Sequence, residues 1–257
     1  MKLVYHSLGN LDRLAGYAEE MQTYLDEVSR DDTEVELAGT THGGIADTYR
    51  FFASRDEQSV ATTIAKKRDE VDGIAIGNIL DPALREGREI TSIPVLGLGE
   101  TSYLVATTVA ETAAVVPLSP KWEPMIRDRI RMYGLETRIP MVQGMNIELE
   151  EMSEAFFDDD KAQTVLDGFD DVVSECVDEG VEMIIPGGGI ISMLLNREGI
   201  DELHGVPIMD QITVLVRLTE TYVDLYQLGA LQTSECRMYQ SPDEAFLEEL
   251  FSIYGLE

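Results

Sequence analysis

The stretch Val181-Glu-Met-Ile-Ile-Pro-Gly-Gly-Gly-Ile-Ile-Ser192 joins a short apolar segment to three consecutive glycines and a second apolar segment. The residues before the glycines predict a buried strand, and those after them predict a helix. In a parallel α/β sheet, ligands bind beyond the carboxyl ends of the strands. We therefore expect part of a ligand site at the glycine loop, which consists of Gly187, Gly188 and Gly189.

An earlier stretch, Gly73-Ile-Ala-Ile-Gly-Asn-Ile-Leu-Asp-Pro82, repeats this order of an apolar strand, a loop of small residues and a helix start. Asp81 is the expected N-cap of that helix, and Pro82 fits its first turn. We call residues 77–83 the Asn78 loop. We predict that the Asn78 loop and the glycine loop face each other across one cleft.

Strands and helices alternate along the whole chain. The predicted strands are residues 2–7, 34–38, 73–76, 93–98, 113–117, 137–142, 182–185 and 206–209. The predicted helices are residues 10–29, 121–133, 160–179, 190–203, 211–228 and 242–254, with one or two helices in residues 45–70 and two more that begin near residues 81 and 100. This alternation predicts an α/β fold with parallel sheets covered by helices on both faces. A chain of 257 residues suits one large domain or two compact lobes.

The chain is strongly acidic, with 49 Asp and Glu residues against 19 Lys and Arg residues and a formal net charge of −30. Only five of the basic residues are lysines. Such a surface repels nucleic acid and anionic membranes, so we expect neither as a partner. The acidic groups of this surface also repel one another, and salt screens that self-repulsion, which favours a halophilic cytoplasm; an acidic mesophilic protein is the alternative.

The remaining composition predicts a cytoplasmic protein. No apolar run approaches the roughly 18 residues that a membrane span requires, and the first residues lack a signal-peptide pattern. Cys176 and Cys236 form no paired motif and the three histidines lack metal-ligand spacing, so we expect no metal site and no cofactor. Cys176 shares an apolar helix face with Val172 and Val173, which predicts a place in the core.

Three parts of the sequence carry a family resemblance. They are Ile74-Ala-Ile-Gly-Asn-Ile-Leu-Asp-Pro-Ala-Leu-Arg-Glu86 with Ile93-Pro-Val-Leu-Gly-Leu-Gly-Glu100, Glu182-Met-Ile-Ile-Pro-Gly-Gly-Gly189, and Gly205-Val-Pro-Ile-Met-Asp210 with Leu228-Gly-Ala-Leu-Gln-Thr-Ser234. Together they resemble the hydantoin racemase branch of the aspartate/glutamate racemase superfamily. The resemblance implies two similar doubly wound lobes with parallel four-stranded sheets and a ligand cleft between them. Residues 1–110 and 208–257 would form the first lobe, and residues 111–207 the second.

Racemases of this family look like two-base enzymes in which one cysteine from each lobe serves one face of the substrate carbon. One thiolate removes the α-proton while the opposite thiol returns one. The resemblance places these cysteines at Asn78 and Gly188, so both thiols are replaced in this chain. Cys176 and Cys236 match neither position. Racemisation by paired thiols is therefore not implied.

The backbone of both loops is the expected ligand cradle. The N–H groups of Asn78, Ile79 and the glycine loop lie near predicted helix starts, where they can bind a carboxylate or a developing enolate oxygen. A tight turn without a ligand is the alternative for Gly187, Gly188 and Gly189. A loop-capping role is the alternative for Asn78.

Four further polar residues follow predicted strands or stand at their ends. His42 is the first candidate for an acid or base and His6 is the second, with a structural role as the alternative for either. Ser119 lies where members of the family place a hydroxyl near the ligand, and its alternative is an N-cap. Asp210 follows the strand at residues 206–209 and is a candidate for ligand binding.

Two functions are compatible with this sequence. The first is a cofactor-independent isomerase, racemase or lyase-like enzyme that acts on a small carboxylate or cyclic amide without paired thiols. The second is a non-catalytic small-molecule-binding or regulatory protein that keeps the cleft and has lost racemase activity. We expect a homo-oligomer in either case, because closed symmetric assemblies are common among soluble proteins.

Overall fold

The structure, a computed structural model, describes residues 1–43 and 48–256. The strands in these residues are β1 (Lys2–His6), β2 (Glu34–Ala38), β3 (Gly73–Ile76), β4 (Val95–Gly97), β5 (Ala114–Val116), β6 (Met141–Val142), β7 (Ile184–Pro186), β8 (Glu202–Leu203) and β9 (Val206–Pro207). The α-helices are α1 (Ala15–Val28), α2 (Arg50–Lys67), α3 (Leu84–Ile90), α4 (Leu98–Val109), α5 (Glu123–Met132), α6 (Leu149–Glu154), α7 (Asp159–Asp178), α8 (Gly189–Arg197), α9 (Gln211–Gln227) and α10 (Glu244–Tyr254). Short 3₁₀ helices lie at Pro120–Trp122 and Arg237–Tyr239.

The first sheet contains four parallel strands in the order β2-β1-β3-β4. β1 lies inside this sheet, and Tyr5 is paired with Leu37 of β2 and with Ala75 of β3. Leu3, Val4 and Tyr5 are all buried, because helices cover both faces of the sheet. The predicted four-stranded parallel sheet is confirmed here.

The second sheet contains three parallel strands in the order β6-β5-β7, one fewer than predicted. The expected fourth strand at residues 206–209 keeps only a single parallel bridge, between Ile208 and Ile184 of β7. Otherwise this segment forms an antiparallel hairpin of β8 and β9. The cause is the turn between them, since His204 and Gly205 both have positive φ, the conformation that a two-residue hairpin turn requires.

The same region shortens a predicted helix. The helix expected at residues 190–203 ends at Arg197, and Gly199 follows with a φ of +68°. A residue with left-handed backbone just beyond the last turn ends an α-helix. The remaining residues are thus free to form β8.

The long helix α9 returns the chain to the first sheet, where it packs against β3, β4, α1 and α4. The contact is close: a Cβ on Gly73 of β3 would lie 2.7 Å from Cγ2 of Val223. The division of the chain into residues 1–110 with 208–257 and residues 111–207 stays a prediction. Within residues 1–43 and 48–256, no helix has the length and apolar content to cross a bilayer.

Candidate functional site

The two loops that the sequence singles out lie next to each other. A Cβ built on Gly189 would lie 3.2 Å from the carbonyl oxygen of Gly77. The Asn78 loop follows β3 of the first sheet, and the glycine loop follows β7 of the second. The carboxyl ends of the two sheets therefore meet at these loops, as predicted.

Two adjoining cavities open at this meeting point. The smaller, of about 50 Å³, is lined by residues that include Ser7, Tyr17, Asn78, Trp122, Gly188 and Gly189. The larger, of about 320 Å³, is lined by residues that include Arg50, Glu57, Asn78, Trp122, Met125 and Arg129. Because Asn78 and Trp122 line both, we treat the two cavities as one cleft.

Two of the expected backbone donors are already engaged in the fold. The N–H of Asn78 donates to the carbonyl of Ile76 at 3.0 Å, and the N–H of Gly187 donates to the carbonyl of Val116 at 2.8 Å. These groups belong to a turn and to an extension of the sheet. They are not free to bind a ligand.

Three neighbouring N–H groups remain as donors. Those of Ile79, Gly188 and Gly189 have no hydrogen-bond acceptor within the described part of the chain. Gly188 and Gly189 stand at the N-terminus of the nine-residue helix α8, whose dipole favours a negative group. Three of the five predicted backbone donors therefore remain, and Asn78 and Gly187 do not belong to the cradle.

The glycines of the glycine loop are required for different reasons. A Cβ on Gly187 would lie 2.1 Å from Cα of Pro117, so only a hydrogen atom fits there. Gly188 has a φ of +151°, but the nearest atom to its Cβ position is in the ring of Trp122 at 4.0 Å. Packing therefore selects glycine at position 187, and backbone conformation selects it at position 188.

Asn78 combines the expected loop-capping role with a place on the cleft wall. Its Oδ1 accepts a hydrogen bond from the N–H of Leu80 at 2.9 Å. Its side-chain amide nitrogen has no hydrogen-bond partner in residues 1–43 and 48–256, so it is available as a donor. An amide at this position can orient a ligand but cannot remove a proton.

Asp81 caps a different helix from the one predicted. Its carboxylate accepts hydrogen bonds from the N–H groups of Gly99 at 2.8 Å and Glu100 at 2.7 Å, which are in the first turn of α4. The helix after the Asn78 loop begins only at Leu84, because Asp81 and Ala83 have left-handed backbone with φ of +48° and +57°. Asp81 thereby ties the Asn78 loop to α4.

The tyrosine that directly follows α5 also contacts Asp81. The hydroxyl of Tyr133 donates to Oδ2 of Asp81 at 2.7 Å. Burial raises the pKa of Asp81 to about 7, although its three hydrogen-bond donors act in the opposite direction. This carboxyl is therefore a buried titratable group directly behind the cleft.

The structure does not bring either predicted histidine into the cleft. His6 is fully buried, its Nε2 lies 3.1 Å from the hydroxyl of Thr63 on α2, and burial lowers its pKa to about 4. His42 is exposed. Burial raises the pKa of the nearby Asp56, and His42 acts on it in the opposite direction. Neither histidine lines the cavities. The first residues of the helix expected at residues 45–70 lie outside the described residues.

Ser119 and Asp210 both act as helix caps. Oγ of Ser119 accepts a hydrogen bond from the N–H of Lys121 at 3.4 Å, which is the N-cap alternative. Asp210 accepts from the N–H of Thr213 at 3.1 Å and from the hydroxyl of Tyr24 at 2.7 Å. Neither side chain lines the two cavities.

The two cysteines lie away from the cleft. Cys176 is fully buried in α7, as expected, and burial raises its pKa to about 11. Cys236 is exposed in the segment between α9 and α10. Neither thiol lines the cavities that hold Asn78 and Gly188.

Three polar residues that line the cleft were not predicted from the sequence. Tyr17 belongs to the apolar face of α1, and its hydroxyl lies 3.3 Å from Oγ of Ser7. Glu57 and Arg129, on α2 and α5, are half-buried in the wall of the larger cavity. Each lies on a helix that shows only ordinary amphipathic periodicity, and their positions depend on how the two sheets are arranged.

Comparison with known proteins places the chain among racemases. A sequence profile described as Asp/Glu/hydantoin racemase matches residues 15–219. The hydantoin racemase of Paenarthrobacter aurescens is 29% identical over 182 residues, which cover 70% of this chain and 72% of that protein. The hydantoin racemase of Rhizobium meliloti is 28% identical over 173 residues and 67% of each chain.

Solved structures show the same fold. The allantoin racemase of Pseudomonas fluorescens aligns with a TM-score of 0.78 at 20% identity, over 95% of this chain and 97% of that one. The glutamate racemase of Francisella tularensis, in complex with D-glutamate, aligns with a TM-score of 0.60 at 15% identity, over 91% of this chain and 84% of that one. The resemblance in sequence and the architecture of two parallel sheets therefore agree.

Proposed function

Because this chain belongs to the Asp/Glu/hydantoin racemase family, we propose that it isomerises a small carboxylate or cyclic amide without paired thiols. The observation that carries the proposal is the meeting of the Asn78 loop and the glycine loop around one cleft. A ligand between them would meet the N–H groups of Gly188 and Gly189, which have no acceptor among residues 1–43 and 48–256, whereas Ile79 is buried and lines neither cavity. Such donors stabilise the enolate that forms when an α-proton is removed.

Thiols do not supply the base in this proposal. Asn78 and Gly188 have no group that accepts a proton at neutral pH, and the cysteine side chains lie elsewhere. Glu57 has the required chemistry, because it is an acidic residue that lines the larger cavity, as Asn78 does. One of its oxygens accepts a hydrogen bond from the N–H of Ala83 at 3.2 Å, which fixes the side chain. We assign Glu57 as the general base.

Arg129 is the cation that suits a carboxylate ligand. It is half-buried in the wall of the larger cavity and has no carboxylate within 4.0 Å among residues 1–43 and 48–256. In a chain with a net charge of −30, a guanidinium without an acidic partner is free to bind an anion. A ligand carboxylate at Arg129 would lie in the same cavity as Glu57.

The proposal is tested by α-proton exchange in deuterated water at high salt, followed by proton NMR. The probes are aspartate, glutamate, 5-methylhydantoin and allantoin. We expect exchange with at least one of them, and a loss of about 100-fold in Glu57→Gln, because the variant lacks the base. Glu89→Gln, at an exposed position of α3, is the matched control. Thermal stabilisation by a probe without any exchange would instead support the non-catalytic binding protein.

Restoring both family cysteines tests the pairing of the two loops. We expect the double variant Asn78→Cys, Gly188→Cys to gain an exchange activity that iodoacetamide removes, since the thiols would stand on opposite sides of the ligand. A side chain at position 188 has room, with Trp122 at 4.0 Å, although its backbone must relax from a φ of +151°.

The control for this double variant is Asn78→Cys combined with Gly180→Cys. Gly180 also has positive φ and its Cβ position is open, but it lies between α7 and β7, away from the cleft. A thiol-dependent gain in the control as well, or no gain in the variant that carries Gly188→Cys, would show that the loops do not form one site.

A further inference from the structure

Two buried tyrosine hydroxyls converge beneath the cleft. The position that a Cβ of Gly189 would occupy lies 3.2 Å from the hydroxyl oxygen of Tyr5 and 3.8 Å from that of Tyr17. Tyr5 has no exposed surface and Tyr17 is 3% exposed. Tyr17 also lines the smaller cavity together with Asn78 and Gly188. Two hydroxyl groups therefore stand at the point where the loops meet.

The hydroxyl of Tyr5 lacks a partner. It is fully buried and makes no hydrogen bond to any residue in the described ranges 1–43 and 48–256. A buried O–H without an acceptor is unfavourable, and native proteins satisfy nearly all such groups with protein, water or ligand. An oxygen atom that enters the floor of the cleft would provide the missing acceptor.

Within the described part of the chain, the hydroxyl of Tyr17 makes one hydrogen bond, and it is long. The hydroxyl lies 3.3 Å from Oγ of Ser7, which in turn accepts a hydrogen bond from the N–H of Gly9 at 3.3 Å. When Ser7 donates to Tyr17, the proton of Tyr17 remains available for a further acceptor. A chain of this kind strengthens the last donor, because each hydrogen bond polarises the next.

Both loops carry a glycine where they pass these hydroxyls. A Cβ on Gly77 would lie 2.5 Å from the hydroxyl oxygen of Tyr5, so any side chain there would displace the tyrosine. A Cβ on Gly189 would stand close to both hydroxyls. Gly77 and Gly189 both line the smaller cavity, so neither position places a side chain between its space and the two hydroxyls. Tyr17 lines this cavity itself, whereas Tyr5 lies behind the two glycines.

We propose that Tyr17 and Tyr5 donate hydrogen bonds to a carbonyl or carboxylate oxygen of the ligand and complete the cradle formed by the N–H groups of Gly188 and Gly189. This inference rests on the proposed function, since it assumes a ligand between the two loops. In that reaction the same oxygen gains negative charge as the α-proton leaves. Donors placed at that oxygen stabilise the charged state more than the ground state.

The tyrosines act as neutral donors and transfer no proton. Burial raises the pKa of Tyr17 to about 12, and burial also raises the pKa of Tyr5 well above its ordinary value. Both hydroxyls thus stay protonated around neutral pH. The base remains a separate group, so the pH dependence of exchange below pH 9 is expected to be the same in wild type and in Tyr17→Phe.

The first test needs no ligand and compares melting temperatures. Tyr5→Phe removes an unpartnered hydroxyl, so we expect its Tm to equal or exceed that of the wild type. Tyr24→Phe is the matched control from α1, because its hydroxyl binds Asp210 at 2.7 Å and lies 3.2 Å from Thr213. We expect the control to lose about 2–4 °C, the effect of one lost hydrogen bond. An equal loss in Tyr5→Phe would overturn the inference, since it would show a structural partner.

The second test measures exchange and binding together. In Tyr17→Phe we expect exchange of the 5-methylhydantoin α-proton to fall by about 100-fold, as for other oxyanion donors. Affinity for 5,5-dimethylhydantoin, which has no α-proton, is expected to fall by at most about 10-fold, because it keeps an uncharged oxygen. The ring of Tyr17 packs on Phe156 with centroids 5.6 Å apart, and phenylalanine preserves this contact. Tyr24→Phe should leave both quantities unchanged.

The outcomes separate the two proposals. Exchange in Tyr17→Phe at the wild-type rate would overturn the inference and leave the proposed function standing. If the wild type exchanges none of the probes, the proposed function fails. The melting temperatures of Tyr5→Phe and Tyr24→Phe then still show whether the hydroxyl of Tyr5 has a structural partner, which would overturn the inference.

Discussion

Asp81→Asn is expected to change how the stability of the fold depends on pH. The carboxyl of Asp81 has a pKa of about 7 in the folded protein against an ordinary value of 3.8, with burial as the main cause. A raised pKa means that the folded state binds this proton more tightly than the unfolded state. The stabilisation is therefore fully present below about pH 4 and is lost as pH rises through 7, by on the order of 4 kcal/mol.

Asparagine at position 81 cannot titrate, yet its carbonyl oxygen can still accept from Gly99 or Glu100. The free energy of unfolding of the wild type, minus that of Asp81→Asn, should therefore decrease between pH 4 and pH 7. Urea titrations at one fixed high salt concentration measure this difference and cancel the general effect of the acidic surface. Gly168→Ala in α7, which changes no titratable group, serves as the control and should give a flat difference. A difference that increases with pH would show that the three donors outweigh burial.

Gly187→Ala is expected to destabilise the fold by about 3 kcal/mol, because a methyl group would meet the backbone of Pro117 at 2.1 Å. The backbone at Gly187 cannot move away from Pro117 easily, because the N–H of Gly187 donates a hydrogen bond to the carbonyl of Val116 in the sheet. The loop would move, so α-proton exchange should fall with stability. Urea unfolding and the exchange assay on the same sample measure both effects.

Gly168→Ala provides the matched comparison for that variant. Gly168 lies inside α7, and its Cβ would make an ordinary contact with Ile147 at 3.6 Å. Alanine should stabilise this helix by about 0.5–1 kcal/mol, because glycine is a poor helix former. If Gly187→Ala were as stable as Gly168→Ala, the close approach to Pro117 would not exist.

The position of the cleft could be predicted from the sequence because it depends on local patterns. An apolar run that ends in small residues marks the carboxyl end of a parallel strand, and both marked ends, at Asn78 and Gly188, meet in the structure. The hairpin of β8 and β9 was missed because His204 has positive φ, which a non-glycine residue rarely adopts. The partner of Asp81 was missed because the left-handed backbone at Asp81 and Ala83 delays the next helix, and the sequence pattern does not show that the start of α4 packs against this loop.

The acid and base groups could not be read from the sequence for a geometric reason. Successive residues of a strand point to opposite faces, so a one-residue difference decides which side chain reaches the cleft. On β1, His6 points to Thr63 of α2, whereas Tyr5 points towards Tyr17 and the glycine loop. A histidine at a strand end suggests an acid or base, because imidazole titrates near neutral pH. The packing of α1 and α2, however, determines what surrounds it.

Isomerisation without thiols, as proposed for this chain, can be measured in a protein that lacks both cysteines. In Cys176→Ala, Cys236→Ser, α-proton exchange of the probe on which the wild type acts should stay within about two-fold of the wild-type rate. Iodoacetamide should inhibit neither protein. Two results would show instead that a thiol takes part in the reaction. One is loss of exchange in a cysteine-free protein that still folds, and the other is inactivation of the wild type by iodoacetamide.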